Sequence, residues 1–304
     1  FEEHDYFGLN DSITFFCQGT LPVVDSQSGQ ILLQSPHTIS VSPNGHGGMI
    51  EALVADKLLD KYHQAGIEHF FFGQIDNPLS PTCCPELIGF HSLTDSAVTL
   101  QAIAKQDAQD KTGNIVELDG RIQMIEYTEM PTQLAEQTTP DGQLQFWAAN
   151  IAVHIFKTSF LQQLARDPTA LPFHTAHKAV AHIDDLGNQI HPAEPNAIKF
   201  ERFIFDSLSV SPKTTVIEAD RNLVFAAVKN RASASFNTVH TCQQAISALH
   251  RNWLIAAGVQ VDMNITVEID PRWARNAQQV RERSDLPETI KTDLFLTSPR
   301  STAR

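Results

Sequence analysis

The hydrophobic period of the chain changes sharply between residues 40 and 66. "SVSPNGHGGMIEAL" begins as a β-like run ending near Pro43, passes through Gly45, Gly47 and Gly48, and then places Ile50, Leu53, Val54, Leu58 and Tyr62 at helical spacing. Gly66 stands where a left-handed C-terminal cap belongs. The Phe-rich run in "IEHFFFGQIDN" is too short for a helix and reads as a strand with Asp76 and Asn77 just beyond it. Strand, loop, helix and strand in this order predict a right-handed parallel crossover. Ligands of such sheets gather at the carboxyl ends of the strands, where the glycine loop and Asp76 would lie.

The same reading extends along the chain. "SITFFCQG" and "GQILLQ" read as strands around the loop "TLPVVDSQS", "ELIGFHSL" as a helix and "AVTLQAIAKQ" as a strand. In "NIVELDGRIQMIEY" the pair Asp119-Gly120 separates two β runs as a type I′ hairpin would. On its second arm Ile122, Met124 and Glu126 share a face, so Glu126 is either a rim position in water or holds something. After the polar surface loop "PTQLAEQTTPDGQL", "FWAANIAVHIF" runs toward the sheet with Asn150 and His154 in apolar surroundings, and "TSFLQQLARD" is helical. A buried Asn150 must be a satisfied core amide or a ligand contact, because an unpaired amide costs about 1–3 kcal/mol. "NAIKFERFIFD" and "TTVIEADRNLVFAAVKN" carry Lys199 and Lys229 among β formers, and lone lysines are usually solvated. "TCQQAISALHRNWLIAAG" is a helix ending at Gly258; beyond it the signal weakens, and "ARNAQQVRERSDLPETIKTDLFLTSPRSTAR" reads as mobile or incomplete.

Composition narrows the function classes. With 304 residues, 42% of them apolar, the chain can build one large or two ordinary domains. Its formal charge of −13 argues against nucleic acid as a partner, since phosphate binding needs a basic footprint. The longest apolar stretch, near "FWAANIAVHIF", is about half of the roughly 20 residues a membrane helix requires. Cys17, Cys83, Cys84 and Cys242 show no CxxC spacing and suit a reduced, cytoplasmic setting. The opening "FEEHDYFGLN" has no initiator Met and no leader, and reads as beginning inside a longer protein.

Candidate chemistry centres on the glycine loop. It lacks the Lys-Ser/Thr of a P-loop and the full GxGxxG spacing, so a structural turn and a ligand loop both remain open. The absence of GxGxxG and of a distal acidic ribose clamp also disfavours an NAD-dependent oxidoreductase. His174, His177 and His182 stand in "HTAHKAVAHIDD", but no HExxH or paired-cysteine context supports zinc.

Taken in order, "FFCQGTLP", "SPNGHGG", "QIDNPL", "ELIGF", "MIEYTEM", "FWAANIAVHIF", "PNAIKFERFIFD" and "VKN" resemble the eukaryotic-type UDP-N-acetylglucosamine pyrophosphorylases and the wider UDP-sugar pyrophosphorylase family over about residues 1–257. The resemblance implies an α/β fold: a GT-A-like, Rossmann-related nucleotidyltransferase mixed sheet flanked by helices, over 1–230, with a small C-terminal α+β segment over 231–304. It implies UTP and a sugar 1-phosphate as substrates, a UDP-sugar and pyrophosphate as products, and Mg²⁺ held by Asp76. Gln18 and Gly45 match uracil contacts, with Pro43 and Gly47 shaping the loop so that the backbone can approach a flat base. Asp76 matches an acid beside the ribose and phosphates. Gly113, Glu126 and Tyr127 match the sugar-binding wall and Asn150 the amide that meets the sugar and its N-acetyl group. Lys199 and Lys229 match two phosphate-reaching lysines. His46 departs from the Asn typical of the N-acetylglucosamine enzymes and is closer to the UDP-glucose and broad-specificity branches; Ile50 stands where an aromatic is usual. The family's GGxGTRLG-type loop, which lies upstream in its members, is absent here. A UDP-glucose or broad-specificity UDP-sugar pyrophosphorylase and a non-catalytic nucleotide-sugar binding protein are therefore the alternatives.

Overall fold

The computed structural model describes residues 1–9 and 12–297. In chain order, a first group of short strands precedes the glycine loop: β1 (Thr20–Pro22), β2 (Val24–Asp25), β3 (Leu33–Ser35), β4 (Thr38–Ile39) and β5 (Val41–Pro43). Helices α1 (Met49–Ala55) and α2 (Leu58–Gln64) follow, broken from one another by Lys57 at φ 56°. The α2 end is closed as its sequence predicts: Gly66 adopts φ +79°, and the Ile67 N–H reaches back to the Tyr62 carbonyl at 3.0 Å. Then come β6 (His69–Phe72), α3 (Pro85–Leu93), β7 (Val98–Ala104), β8 (Asn114–Leu118) and β9 (Arg121–Ile125). Asp119 and Gly120 both have positive φ, at 52° and 73°, as the type I′ reading requires.

The second half supplies α4 (Thr132–Ala135), β10 (Ala148–Lys157), α5 (Thr158–Arg166), β11 (His174–Lys178), β12 (His182–Ile183), β13 (Gln189–Ile190) and β14 (Ala197–Glu201). These are followed by α6 (Ser207–Val210), β15 (Thr214–Ala219), α7 (Arg221–Val224) and α8 (Val239–Ala256), the last opened by a Thr238–Thr241 capping box.

The principal sheet runs β15-β7-β10-β8-β9, with β6 also on β10. β10 is antiparallel to β6, β7 and β8, whereas β15 is parallel to β7, so the sheet is mixed. Alternation along β7 sends Val98, Leu100 and Ala102 into a core shared with Ile50, Leu53, Leu58, Phe160 and Leu161 of α1, α2 and α5. Ile103 points to the opposite face, with Leu87 of α3, Val153 and Ile155 of β10, and Val224 of α7. Helices thus cover both faces, as an α/β sheet with a parallel pair demands.

Three expectations are corrected. The parallel crossover does not form between the strands flanking the glycine loop: β5 pairs antiparallel with β1 in a separate two-stranded ribbon, and β6 joins β10. In β5, Ser42 is the buried residue while Val41 and Pro43 are exposed, so the strand has no apolar row with which to enter a sheet covered on both faces. "SITFFCQG" forms no strand; Phe15 and Phe16 are exposed and pairing begins only at Thr20. Beyond Gly258 the chain is not structureless. Through residue 297 it builds β16 (Gln260–Val261), β17 (Val267–Ile269), α9 (Ala277–Arg281), β18 (Thr289–Ile290) and β19 (Leu294–Leu296). These elements surround a second core of Leu254, Val267, Ile269, Trp273, Val280 and Ile290. Its apolar residues come from short, interrupted elements, which is why no periodicity betrays it. The part of the expectation concerning residues 298–304 lies outside the described residues. Among the described residues, no helix is long and apolar enough to cross a membrane.

Several histidines are buried neutral: desolvation lowers His46, His91 and His250 to about 4 and His154 to about 3. The unfolded chain, with ordinary histidines near 6.5, binds more protons than the native one below that pH. Thermal unfolding midpoints are expected to fall steadily from pH 6.5 toward pH 4; midpoints unchanged across that window would contradict the buried neutral rings.

Candidate active site

The site is organised by a defect in β10. Its register with β7 shifts between Asn150 and His154, and Ala152 at the shift adopts φ 58°, a left-handed conformation that a side chain normally avoids. The Asn150 Oδ1 accepts the Ala152 N–H at 3.0 Å, and the Asn150 N–H donates to the Gly113 carbonyl at 2.9 Å. A Cβ on Gly113 would strike the Met124 sulfur, so the Met124 side chain packs directly over this glycine.

Around this bulge lies a cavity of about 180 Å³. One wall carries Gly113, Glu126, Tyr127 and Asn150; the other carries His46, Phe72, Asp76 and Lys229, with Lys111, Thr112 and His154 also facing it. Burial raises the Glu126 carboxyl, with Glu129 adding to the shift. The Asp76 carboxylate pairs with the Lys229 ammonium at 3.2 Å, and the Asp76 carbonyl accepts the Val228 N–H at 2.8 Å. The Nδ1 of His46 accepts the Ile204 N–H at 3.0 Å, which leaves its proton on Nε2, while its ring stacks on Phe203 at 5.1 Å. His154 is 1% exposed and stacks on Phe72, yet neither ring nitrogen has a hydrogen-bond partner among the described residues. An acidic chain therefore presents two lysines, two carboxylates and several hydrogen-bonding groups to one small volume.

The cavity brings together His46, Asp76, Gly113, Glu126, Tyr127, Asn150 and Lys229 of the sequence-predicted residues, and not the rest. Gln18 is exposed next to Gly19, whose carbonyl accepts the Asn44 N–H, so it adjoins the glycine loop without lining the cavity. Pro43 is exposed at the end of β5. Lys199 lies on β14 opposite Ala176. Gly47 borders a different, mainly apolar cavity of about 250 Å³ with Ile50, Val54, Leu164, Leu171 and Arg202.

The space at the loop glycines is also taken by something other than expected. A Cβ on Gly45, at φ +82°, would run into the Arg202 carbonyl oxygen and lie 2.8 Å from its nitrogen; one on Gly47 would lie 2.8 Å from the Arg202 carbonyl carbon. The Gly47 N–H donates to that same carbonyl at 2.8 Å and the Arg202 N–H to the Asn44 carbonyl at 2.8 Å. It is the chain's own backbone that the glycines admit. Lys111 and Thr112 were missed by sequence reasoning; their signal, a basic and a hydroxyl residue directly before Gly113, becomes legible only once that glycine is placed at the cavity.

A divalent cation is a partial fit. Among the described residues no group of three or more His, Cys, Asp or Glu side chains could hold a metal ion. Asp76 alone faces the cavity beside a lysine, a donor set that suits Mg²⁺ only where phosphates and water complete the shell.

Residues 2–286 match the family described as UTP–glucose-1-phosphate uridylyltransferase. The chain belongs to that family. Among its uridylyltransferase relatives, UDP-N-acetylglucosamine pyrophosphorylase of Saccharomyces cerevisiae is 35% identical over 277 residues, 90% of this chain and 58% of the yeast protein. The chain thus spans less than two thirds of that relative's length. The crystal structure of an Entamoeba histolytica protein provisionally named UDP-N-acetylglucosamine pyrophosphorylase superposes with a TM-score of 0.87 at 32% identity, over 98% of this chain and 74% of that one. A UDP-glucose pyrophosphorylase variant from Leishmania major shares the fold at a TM-score of 0.61 and 13% identity, over 90% of this chain and 58% of that one. The expected nucleotidyltransferase-type α/β fold with a mixed sheet is therefore the observed one.

Gly45→Ala is expected to lower the urea midpoint by an amount corresponding to more than about 2 kcal/mol, through left-handed strain and collision with the Arg202 backbone. An unchanged midpoint would show that the loop does not pack on Arg202.

Proposed function

We propose that this chain carries the greater part of the active site of a UTP:sugar-1-phosphate uridylyltransferase, with N-acetylglucosamine 1-phosphate as the sugar substrate. The observation that supports the reading best is the single cavity in which Lys111, Lys229 and Asp76 meet Glu126 and Asn150. An anionic phosphate has two lysines to approach; a sugar has a carboxylate and an amide for its hydroxyls and acyl group.

In this reading an oxygen of the sugar phosphate attacks the α-phosphorus of UTP as the P–O bond to the departing pyrophosphate breaks in line. No side-chain nucleophile is needed, so positioning and charge neutralisation carry the rate. Lys229 shares its charge with Asp76 before substrate binds and turns to the phosphates when they arrive. Lys199 serves the nucleotide phosphates from β14. Gln18 and the loop residues Pro43, Gly45 and Gly47 form the uracil side, with recognition by the loop's outer surface rather than through space at the glycine Cα atoms, which the Arg202 backbone fills. Mg²⁺, held by Asp76 together with phosphate oxygens, would supply further neutralisation.

His46 favours a second reading on sugar identity. Its neutral ring, with the proton on Nε2, lines the cavity and offers a donor where an Asn would offer an amide. A UDP-glucose or broad-specificity activity is the corresponding outcome.

The full-length protein is expected to release pyrophosphate from UTP in the presence of Mg²⁺ and N-acetylglucosamine 1-phosphate, faster than with glucose or galactose 1-phosphate. A preference for glucose 1-phosphate would establish the second reading; background rates with every sugar, together with measurable UDP-sugar binding, would mark a non-catalytic binding protein. Glu126→Gln should cost about 2–4 kcal/mol in kcat/KM for the sugar phosphate, a loss of roughly 30- to 1,000-fold, with KM for UTP nearly unchanged. An equal loss for both substrates would remove Glu126 from the sugar site.

A further inference from the structure

His174 opens β11 outside the cavity, but it touches the supports of both cavity walls. Its Nδ1 lies 3.0 Å from Glu129 Oε1 and its Nε2 2.9 Å from Asp206 Oδ2. Both partners are carboxylates, which accept and do not donate when ionised, so both hydrogen bonds form together only when the ring carries a proton on each nitrogen. Glu129 sits in the turn that fastens Glu126: the N–H groups of Glu129 and Met130 donate to the Glu126 carbonyl at 2.9 and 3.0 Å. Asp206 ends the short helical turn Ile204–Asp206, whose first N–H donates to His46 Nδ1. Between the two histidines lies the Phe203 ring, 5.1 Å from His46 and 4.6 Å from His174.

We infer that His174, as an imidazolium, is a positioning residue that fixes the Glu126 wall against the His46 wall and so governs use of the sugar phosphate. The inference rests on the uridylyltransferase reading of this cavity and adds to it a residue that never meets the substrate. The side chains of His174 and Asp206 are 20% and 11% exposed, so the pair is screened far less than a surface ion pair.

Five acidic or basic groups face or flank the ring. Glu129 comes from the turn after β9, Asp206 from the helical turn after β14 and His46 from the glycine loop, while Glu126 acts across the cavity rim. Glu201 is its cross-strand neighbour on β14. Burial disfavours the charged ring, but the hydrogen bonds to Glu129 and Asp206 outweigh it, and the His174 pKa lies above the ordinary value. Burial in turn raises the Asp206 carboxyl, which the imidazolium opposes. A histidine whose folded pKa is raised contributes stability that is complete below about 6.5 and is lost as pH rises through the folded value. Loss of the proton leaves one carboxylate without a donor and frees one wall from the other.

The test uses the full-length protein and His174→Gln, which can donate to one carboxylate but not bridge two. For the wild type, kcat/KM for the sugar phosphate should fall as pH rises through the folded pKa of His174, which lies above the ordinary value, while KM for UTP stays level. In the Gln variant the sugar-phosphate value should already be reduced about tenfold near pH 6.5 and should lose that alkaline limb. The difference in thermal midpoint between the two proteins should shrink from pH 6 to pH 9. An alkaline limb of the same position in both proteins, or an equal loss for both substrates, would overturn the inference. If no sugar phosphate is turned over at all, the uridylyltransferase reading fails on its own. A midpoint difference that stays constant from pH 6 to pH 9 would independently overturn the imidazolium bridge.

Discussion

The site depends on one irregularity in the longest strand. β10 must satisfy β6, β7 and β8 at once and also deliver Asn150 to the cavity, and a regular ten-residue strand cannot do both. The bulge at Ala152 resolves this. It costs the chain a left-handed alanine, on the order of 1–2 kcal/mol, partly offset by the hydrogen bond from the Ala152 N–H to the Asn150 side chain. Strain of this kind persists only where the surroundings over-determine it, and here they do: Ala149, Ile151, Val153 and Ile155 are all buried in the core on the α3 side. Asn150 and His154 stand at the two ends of the register shift, so the same defect sets the position of both.

How much of this was legible in the sequence depended on whether the signal was local. The hairpin at Asp119-Gly120, the cap at Gly66, the strands around "VTLQAIA" and "ANIAVHIF" and the helix ending before Gly258 were legible because period and turn chemistry act over a few residues. The destination of β5 was not legible, because strand–loop–helix–strand is only a default and the partner of a three-residue strand is decided by the other strands on offer. The bulge was invisible for a similar reason: alanine carries no sign of a positive φ. The second core failed to register because, apart from Leu254 of α8, its apolar residues are spread over elements of two to five residues and the loops between them. Of the site, the acids and amides at strand ends could be named from their odd placement, whereas Lys111 and Thr112 took their meaning only from the fold around Gly113.

Electrostatics distinguishes the cavity from the rest of the molecule. The chain carries a formal charge of −13, yet in the cavity Lys111 and Lys229 share the lining with Asp76 and Glu126, and Lys229 lies 3.2 Å from Asp76. Attraction of any anion over long range is therefore weak or adverse, and the field of these lysines is felt only at close quarters, where screening by salt is least. The Asp76–Lys229 pair keeps the lysine's charge compensated within the cavity.

The packing of Gly45 and Gly47 on Arg202 also has a mechanical side. Arg202 directly follows β14, and the hydrogen bonds from Gly47 to Arg202 and from Arg202 to Asn44 splice the glycine loop to that strand as if it were an extra rung. A loop joined in this way cannot flap as an independent lid. Lys199 lies within β14, three residues before Arg202 and outside the cavity. Any displacement of β14 that carries Lys199 with it must therefore drag the glycine loop along, so that strand and loop move as one body.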